Sequence, residues 1–214
     1  TALNYSDKKD KSHFKLKIYI QDGPIALFKV LPVLENMDFR VLSEISFVVT
    51  LPNNRKVWVH EFDIKTQEGN PVELSHFREY FLEGFYLIWN ENIENDGFNR
   101  LIVRANFTWQ ECQVIRTYAK YLRQLKVTFS QAYMEEALSK YPHICRLLVQ
   151  LFTCKFDPES KEDRESSQDE IIHKIKALLE DVVILDDDRI INKFMNTMQS
   201  TLRTNYYQSI DGKQ

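Results

Sequence analysis

Phe14–Glu35 reads FKLKIYIQDGPIALFKVLPVLE, and its hydrophobic rhythm changes once along the way. Phe14, Leu16, Ile18 and Ile20 alternate with Lys15, Lys17 and Tyr19, the period-two pattern of a strand with one buried face. Asp22-Gly23-Pro24 then turns the chain. Phe28, Leu31 and Leu34 follow at helical spacing, with Pro32 tolerable only near the helix start. Strand, turn and helix in so short a space set the architecture of the first half.

Working outward, Phe39–Thr50 and Lys56–Lys65 are rich in β-branched and aromatic residues and flank LPNNR, whose Asn53-Asn54 suits a hairpin turn. Ser75 is expected to cap a helix that presents Phe77, Phe81, Gly84, Phe85 and Ile88 on one face. The order strand, helix, strand, strand, helix is most of a ferredoxin-like split βαβ sandwich. Leu101–Arg104 reads either as a closing strand or as helix. Upstream, residues 1–13 are polar and expected to be a disordered extension.

After Asn106 the pattern is helical only. Thr108 with Glu111, Thr128 with Gln131, and Ser167 with Glu170 each have the spacing of a capping box. Pro142 suits a first helical position. Ile144, Leu147, Leu148, Leu151 and Phe152 form one apolar stripe. Ile171, Ile172, Ile175, Leu178, Leu179 and Val182 form a second, and Ile190, Ile191, Phe194, Met195, Met198 and Leu202 a third. ESKEDRESSQD (Glu159–Asp169) carries no apolar residue and is expected to be a linker. The organisation that follows is an extension at 1–13, a sheet domain at 14–95, a helical region at 96–158, a linker at 159–169 and a helical hairpin at 170–208.

A chain of 214 residues with 43% hydrophobic side chains and 14 Phe can build a packed core. Five Gly and six Pro favour long regular elements over loops. A net charge of −3 gives no electrostatic reason to bind nucleic acid or an anionic membrane. No apolar run approaches the roughly 18 residues a spanning helix needs. Three Cys, at 112, 145 and 154, form no CxxC pair and fit reduced thiols in the cytoplasm. The chain opens on Thr and closes on the polar DGKQ, and is expected to be a piece of something longer.

Several runs resemble one family. RTYAKYLRQ (Arg116–Gln124), TFSQAYMEEAL (Thr128–Leu138), LFTCKFDP (Leu151–Pro158) and DDDRIINKFMNTMQSTLRTNYYQ (Asp186–Gln208) are similar to the large-subunit class of bacterial NAD-specific glutamate dehydrogenases. VLPVLENMDFRVLSE (Val30–Glu44) and DGFNRLIV (Asp96–Val103) resemble it too, so the likeness covers nearly everything after about Ile18. The resemblance implies an α+β fold, an ACT-like, ferredoxin-like βαββα sheet domain followed by an all-helical region. It favours helix for Leu101–Arg104, which leaves three strands in the sheet. Asp38 stands where ACT domains commonly have a glycine.

The same resemblance places the glutamate-binding lysines, the catalytic aspartate and the NAD domain C-terminal to this chain, so none is carried onto a residue here. The glycines at 23, 69, 84, 97 and 212 stand alone, whereas a dinucleotide turn needs several together. No cofactor is expected in this segment and NAD is expected in the parent enzyme. In ACT domains the loop after the first strand often holds an amino-acid effector. Gln21, Asp22, Gly23, Pro24 and Ile25 are the corresponding candidates, because a helix N-terminus favours a carboxylate. The plainer reading is that DGP only turns the chain.

Other constellations favour bland readings. His143 and Cys145 lie at i, i+2 and point to different helix faces. The three cysteines sit in apolar stripes and are expected to act as small hydrophobes. Asp186-Asp187-Asp188 resembles a cation cluster, but at a helix start it is expected to cap the helix and complement its dipole. Tyr19, Trp58 and Phe62 lack the signature of an RNA-recognition sheet.

The expectation is a catalytically silent regulatory and assembly segment. Its partners would be the catalytic domain of the same polypeptide, a second copy in a homo-oligomer and an amino-acid effector, with neither nucleic acid nor membrane. The parent reaction implied is oxidative deamination of L-glutamate to 2-oxoglutarate and ammonium with NAD, in amino-acid catabolism. A freestanding amino-acid sensor and a purely structural oligomerisation scaffold are the alternatives.

Overall fold

Alternation along four stretches of the N-terminal half produces one antiparallel sheet. The computed structural model describes residues 1–7, 9–21, 23–159 and 163–208, and it divides into two units, Thr1–Cys112 and Gln113–Gln214. In the first, β1 (Ala2–Asp7), β2 (Asp10–Ile20), β3 (Phe39–Thr50) and β4 (Lys56–Thr66) lie in the order β1-β2-β4-β3. All three pairings are antiparallel. Two helices, α1 (Leu27–Asn36) and α2 (Leu74–Trp89), belong to this unit, as does the short α3 (Arg100–Arg104).

The α+β, ACT-like fold class holds, but the fourth strand comes from the end expected to be disordered. Ala2–Asp7 pairs with β2, Leu3 opposite Leu16 and Tyr5 opposite Phe14. Two inward side chains suffice for an edge strand. Leu3 is fully buried, and the Tyr5 ring stacks on Phe14 at 5.3 Å. Leu101–Arg104 is helical, and no strand follows α2 among the described residues.

The β2 pattern puts Phe14, Leu16 and Ile18 on the helix-covered face, where Phe62 and Ile64 of β4 join them. Helical spacing aligns Phe77, Phe81, Phe85 and Trp89 along α2. Phe39 meets Phe14 edge-on at 5.6 Å and Phe81 edge-on at 5.3 Å. Edge-to-face rings of this kind add to the burial itself. Gly84 lets α3 approach α2, because a Cβ there would stand 2.8 Å from the Ile102 Cδ1.

On the opposite, uncovered face, Lys15 and Lys17 both reach Glu61, at 2.7 and 2.9 Å. Farther along, the same face turns apolar. Tyr19, Ile45 and Phe47 are all exposed, Ile45 at 63%. Ile45 and Phe47 belong to β3, whose outer edge has no strand partner among the described residues.

Helix starts follow tertiary contacts more than local motif. The Thr108–Glu111 box forms in both directions, at 2.8 and 3.2 Å. The other caps differ from expectation. Ser130, not Thr128, receives the Tyr133 N–H. Helix α2 starts at Leu74 rather than after Ser75, and the Tyr5 hydroxyl accepts the Leu74 N–H at 2.8 Å. Pro32 lies at the sixth residue of α1, deeper than expected; its exposed position leaves solvent to satisfy the carbonyl it cannot serve.

The division between units falls inside α4 (Trp109–Gln124), after Cys112, so Gly97–Arg104 belongs with the sheet rather than with the helices. The second unit adds α5 (Gln131–Lys140), α6 (Pro142–Phe156), α7 (Arg164–Leu179) and α8 (Leu185–Ser200). Pro142 opens α6 as expected. The stripe of α8 is buried through Ile190, Ile191, Phe194, Met195 and Met198, whereas α7 buries only Ile175 and Leu179. The expected linker is shorter: Asp163 caps α7 by accepting the Glu165 N–H, so Arg164–Asp169 is helical. Its residues 160–162 lie outside the described residues. Charge does not oppose a helix here: Asp163 caps it and Glu165 lies in its first turn, where the helix dipole favours negative charge.

Candidate functional site

The loop from β2 to α1 is built by three successive constraints. The strand ends at Ile20, and Gln21 is exposed. Asp22, the second candidate, lies outside the described residues. Gly23 has φ 121°, a conformation that a side chain would strain. A Cβ there would meet nothing within 4 Å, so the requirement for glycine is one of backbone and not of space. Pro24 is exposed and Ile25 is buried.

Ile25 is held from below. Its N–H donates to His60 Nε2 at 3.1 Å, and His60 Nδ1 lies 2.7 Å from Glu44 Oε1. His60 is only 2% exposed. A backbone N–H can only donate, so Nε2 must be the unprotonated nitrogen, and a neutral ring carries its proton on Nδ1, toward the carboxylate. His60 and Glu44 were not among the sequence candidates. Their signal is a polar residue at an inward position, since Trp58, His60, Phe62 and Ile64 share the helix-covered face.

Beyond the loop, Ala26 is the N-cap of α1, no side chain among the described residues caps the helix, and its first turn holds no acidic residue. Phe28 is 73% exposed just beyond. An uncapped, ten-residue helix start next to a glycine turn leaves its positive dipole end facing solvent, which suits a carboxylate.

The remaining constellations do not assemble. His143 is exposed, whereas Cys145 is fully buried with its Sγ 3.1 Å from the Leu138 carbonyl. Burial pushes that thiol well up. Ile184, not an aspartate, is the N-cap of α8, and Asp186, Asp187 and Asp188 fill its first turn. They point apart: Asp186 pairs with Arg189, Asp188 meets Asn192, and the buried Asp187 accepts from Tyr141. Among the described residues no three His, Cys, Asp or Glu side chains are grouped to hold a metal. Tyr19 lies on the open face opposite Val59, while Phe62 pairs with Leu16 on the covered face, so the three aromatics form no common platform. No helix among the described residues is long and apolar enough to cross a membrane.

The described residues do not fit NAD. Dinucleotide sites use a glycine-rich crossover between parallel strands, and here every strand pairing is antiparallel and Gly23 stands alone in its turn.

Comparison with known proteins gives three consecutive matches. Residues 2–77 match the ACT3 domain of glutamate dehydrogenase, and residues 93–158 its helical motif 3. Residues 174–214 match the catalytic domain of bacterial NAD-glutamate dehydrogenase. That last match begins inside α7, so the helical hairpin expected to lead to an absent catalytic domain falls within the match to it. The NAD-specific glutamate dehydrogenase of Pseudomonas aeruginosa is 37% identical over 195 residues, 90% of this chain. That of Halomonas elongata is 37% identical over 201 residues, and that of Mycobacterium tuberculosis 34% over 220. The chain spans 12% of the length of the first two and 13% of the third.

Proposed function

Because this chain belongs to the family of bacterial NAD-specific glutamate dehydrogenases, we propose that it is a regulatory and assembly segment of such an enzyme and performs no chemical step itself. The whole enzyme would act in the cytoplasm, in amino-acid catabolism. It would convert L-glutamate, NAD⁺ and water into 2-oxoglutarate, ammonium, NADH and a proton. NAD would supply hydride acceptance at a site outside the described residues.

The observation that carries the regulatory reading is the N-terminus of α1 behind the Gly23 turn, which no side chain among the described residues caps. An amino-acid effector would place its carboxylate there, against Gln21, Asp22, Gly23, Pro24 and Ile25. Assembly is favoured by a second observation. Among the described residues strand β3 leaves one edge without a strand partner and exposes Ile45, Phe47, Val48 and Val49, which suits a second copy in a homo-oligomer.

Thermal unfolding of the chain against a panel of amino acids, with glutamate and NAD included, tests the regulatory half. A ligand present at about 100 times its Kd adds about 2.7 kcal/mol and raises the midpoint. A rise with one amino acid that Gly23→Val abolishes supports the effector reading. No rise with any of them removes it and leaves the scaffold.

A further inference from the structure

We propose that His60 is the positioning residue of the β2–α1 loop, coupling it to the edge strand β3 through the chain Glu44–His60–Ile25. The proposal rests on the reading of that loop as regulatory for its functional consequence, though not for its geometry.

Three facts lead to it. His60 is nearly sealed from solvent, and its ring lies near parallel to Phe62 at 19°, so packing limits its rotation. Both of its nitrogens are used in opposite senses, Nε2 accepting from Ile25 and Nδ1 donating to Glu44. The two partners lie on different parts of the unit. Ile25 ends the loop beside Gly23 and α1, and Glu44 belongs to β3 just past the irregularity between Val41 and Ser43.

The chemistry makes the link directional. Glu44 is an acceptor when ionised, and therefore holds the proton on Nδ1. With the proton there, Nε2 keeps its lone pair for Ile25. If Glu44 swings away, the ring is free to take the other tautomer, and an Nε2–H would face the Ile25 N–H, donor against donor. The loop then loses its anchor directly before the N-cap of α1. A strand that pairs with the free edge of β3 changes the setting of Glu44, and the change reaches the loop through one imidazole ring. Conversely, a ligand that draws Ile25 away from Nε2 loosens the hold on Glu44.

Nitrogen-15 NMR of the His60 ring in the unaltered chain, with amide exchange at Ile25, tests this without any ligand. The expected result is a protonated Nδ1, an unprotonated Nε2 and a slowly exchanging Ile25 amide. His60→Leu removes both bonds and is expected to speed Ile25 exchange at least tenfold while amides of β2 and β4 stay protected. His60→Gln keeps an acceptor and a donor and is expected to restore part of that protection. Glu44→Ala, which leaves no acceptor for Nδ1, is expected to speed Ile25 exchange several-fold, and to add little in the His60→Leu background.

A protonated Nε2 in the unaltered chain overturns the proposal, and that reading needs no variant. So does Ile25 exchange that Glu44→Ala leaves unchanged, or effects of the two substitutions that simply add. An amino acid that still raises the unfolding midpoint in either case leaves the effector reading standing and removes this coupling alone. Absence of any ligand response, with Ile25 protection dependent on both residues, does the reverse.

Discussion

Asp38 adopts a left-handed backbone, φ 72°, and from that turn its carboxylate meets the Arg104 guanidinium at 2.7 Å. That region of backbone space is the one glycine enters most readily. The aspartate accepts the strained geometry and in return joins the end of α1 to α3. Burial pushes its carboxyl above the ordinary carboxylate range, and Arg104 offsets that only in part.

Substitution separates the two roles. Asp38→Ala keeps the strain and removes the ion pair, leaving half-buried Arg104 without one of its carboxylates. Asp38→Gly removes both ion pair and strain. Alanine is therefore expected to be the more destabilising by about 1 kcal/mol, the cost of a side chain in the left-handed region. Urea midpoints at constant m-value measure the difference.

Tyr5 ties the N-terminal strand to the start of α2, accepting the Leu74 N–H at 2.8 Å and donating to the Val72 carbonyl at 3.2 Å. Tyr5→Phe keeps the ring stacked on Phe14 and removes only the hydroxyl. The expected loss is about 1 kcal/mol. Amide exchange at Leu74 should rise selectively, and unchanged exchange there would show that β1 does not order the helix.

Asp10 titrates at about 2, lowered chiefly by the hydroxyl and backbone N–H of Ser12 and further by Lys65. Its folded value lies below its unfolded one. It therefore adds stability that is complete above the ordinary carboxylate value and is lost as pH falls through about 2. Ser12→Ala should move the midpoint of the Asp10 carboxyl, followed by carbon-13 NMR, back toward the ordinary value.

Gly23→Ala makes no steric contact, yet its φ of 121° penalises any side chain. A loss of about 1 kcal/mol is expected in chemical denaturation. A neutral substitution would mean that the loop relaxes, and that the turn is not what presents the start of α1.

The three thiols should differ in reactivity. Cys145 is fully buried and its thiol is pushed up by that burial, Cys112 is almost as buried, and Cys154 is half-exposed. A disulfide reagent under native conditions should modify Cys154 first. Fast labelling of Cys145 would show that the helical unit opens readily.

What the sequence made legible follows from how far each pattern reaches. Phe14–Ile20 and Phe77–Ile88 carry their own periodicity, so β2 and the buried face of α2 could be read directly. Ala2–Asp7 has only Leu3 and Tyr5 to show, too few for a pattern, and its strand character depends on β2 as template. Helix starts misled for a related reason. Ser75, Thr128 and Ser167 have the right spacing, but the hydroxyl at the start of α2 arrives from Tyr5. The loop candidates Gln21–Ile25 were visible as a strand–turn–helix junction. His60 and Glu44 were not, because their bonds join positions 16 and 35 residues apart in the chain.

The placement of β1 bears on the order in which the protein is made. All four strands lie within the first 66 residues of this chain, and α1 with them. This four-stranded sheet is therefore on hand while α2 is still being synthesised. What it lacks until then is a cover for Phe14 and Phe39, which α2 supplies with Phe77 and Phe81. The nascent chain would expose that aromatic face only for the time needed to add about one helix, a matter of seconds at ordinary translation speed.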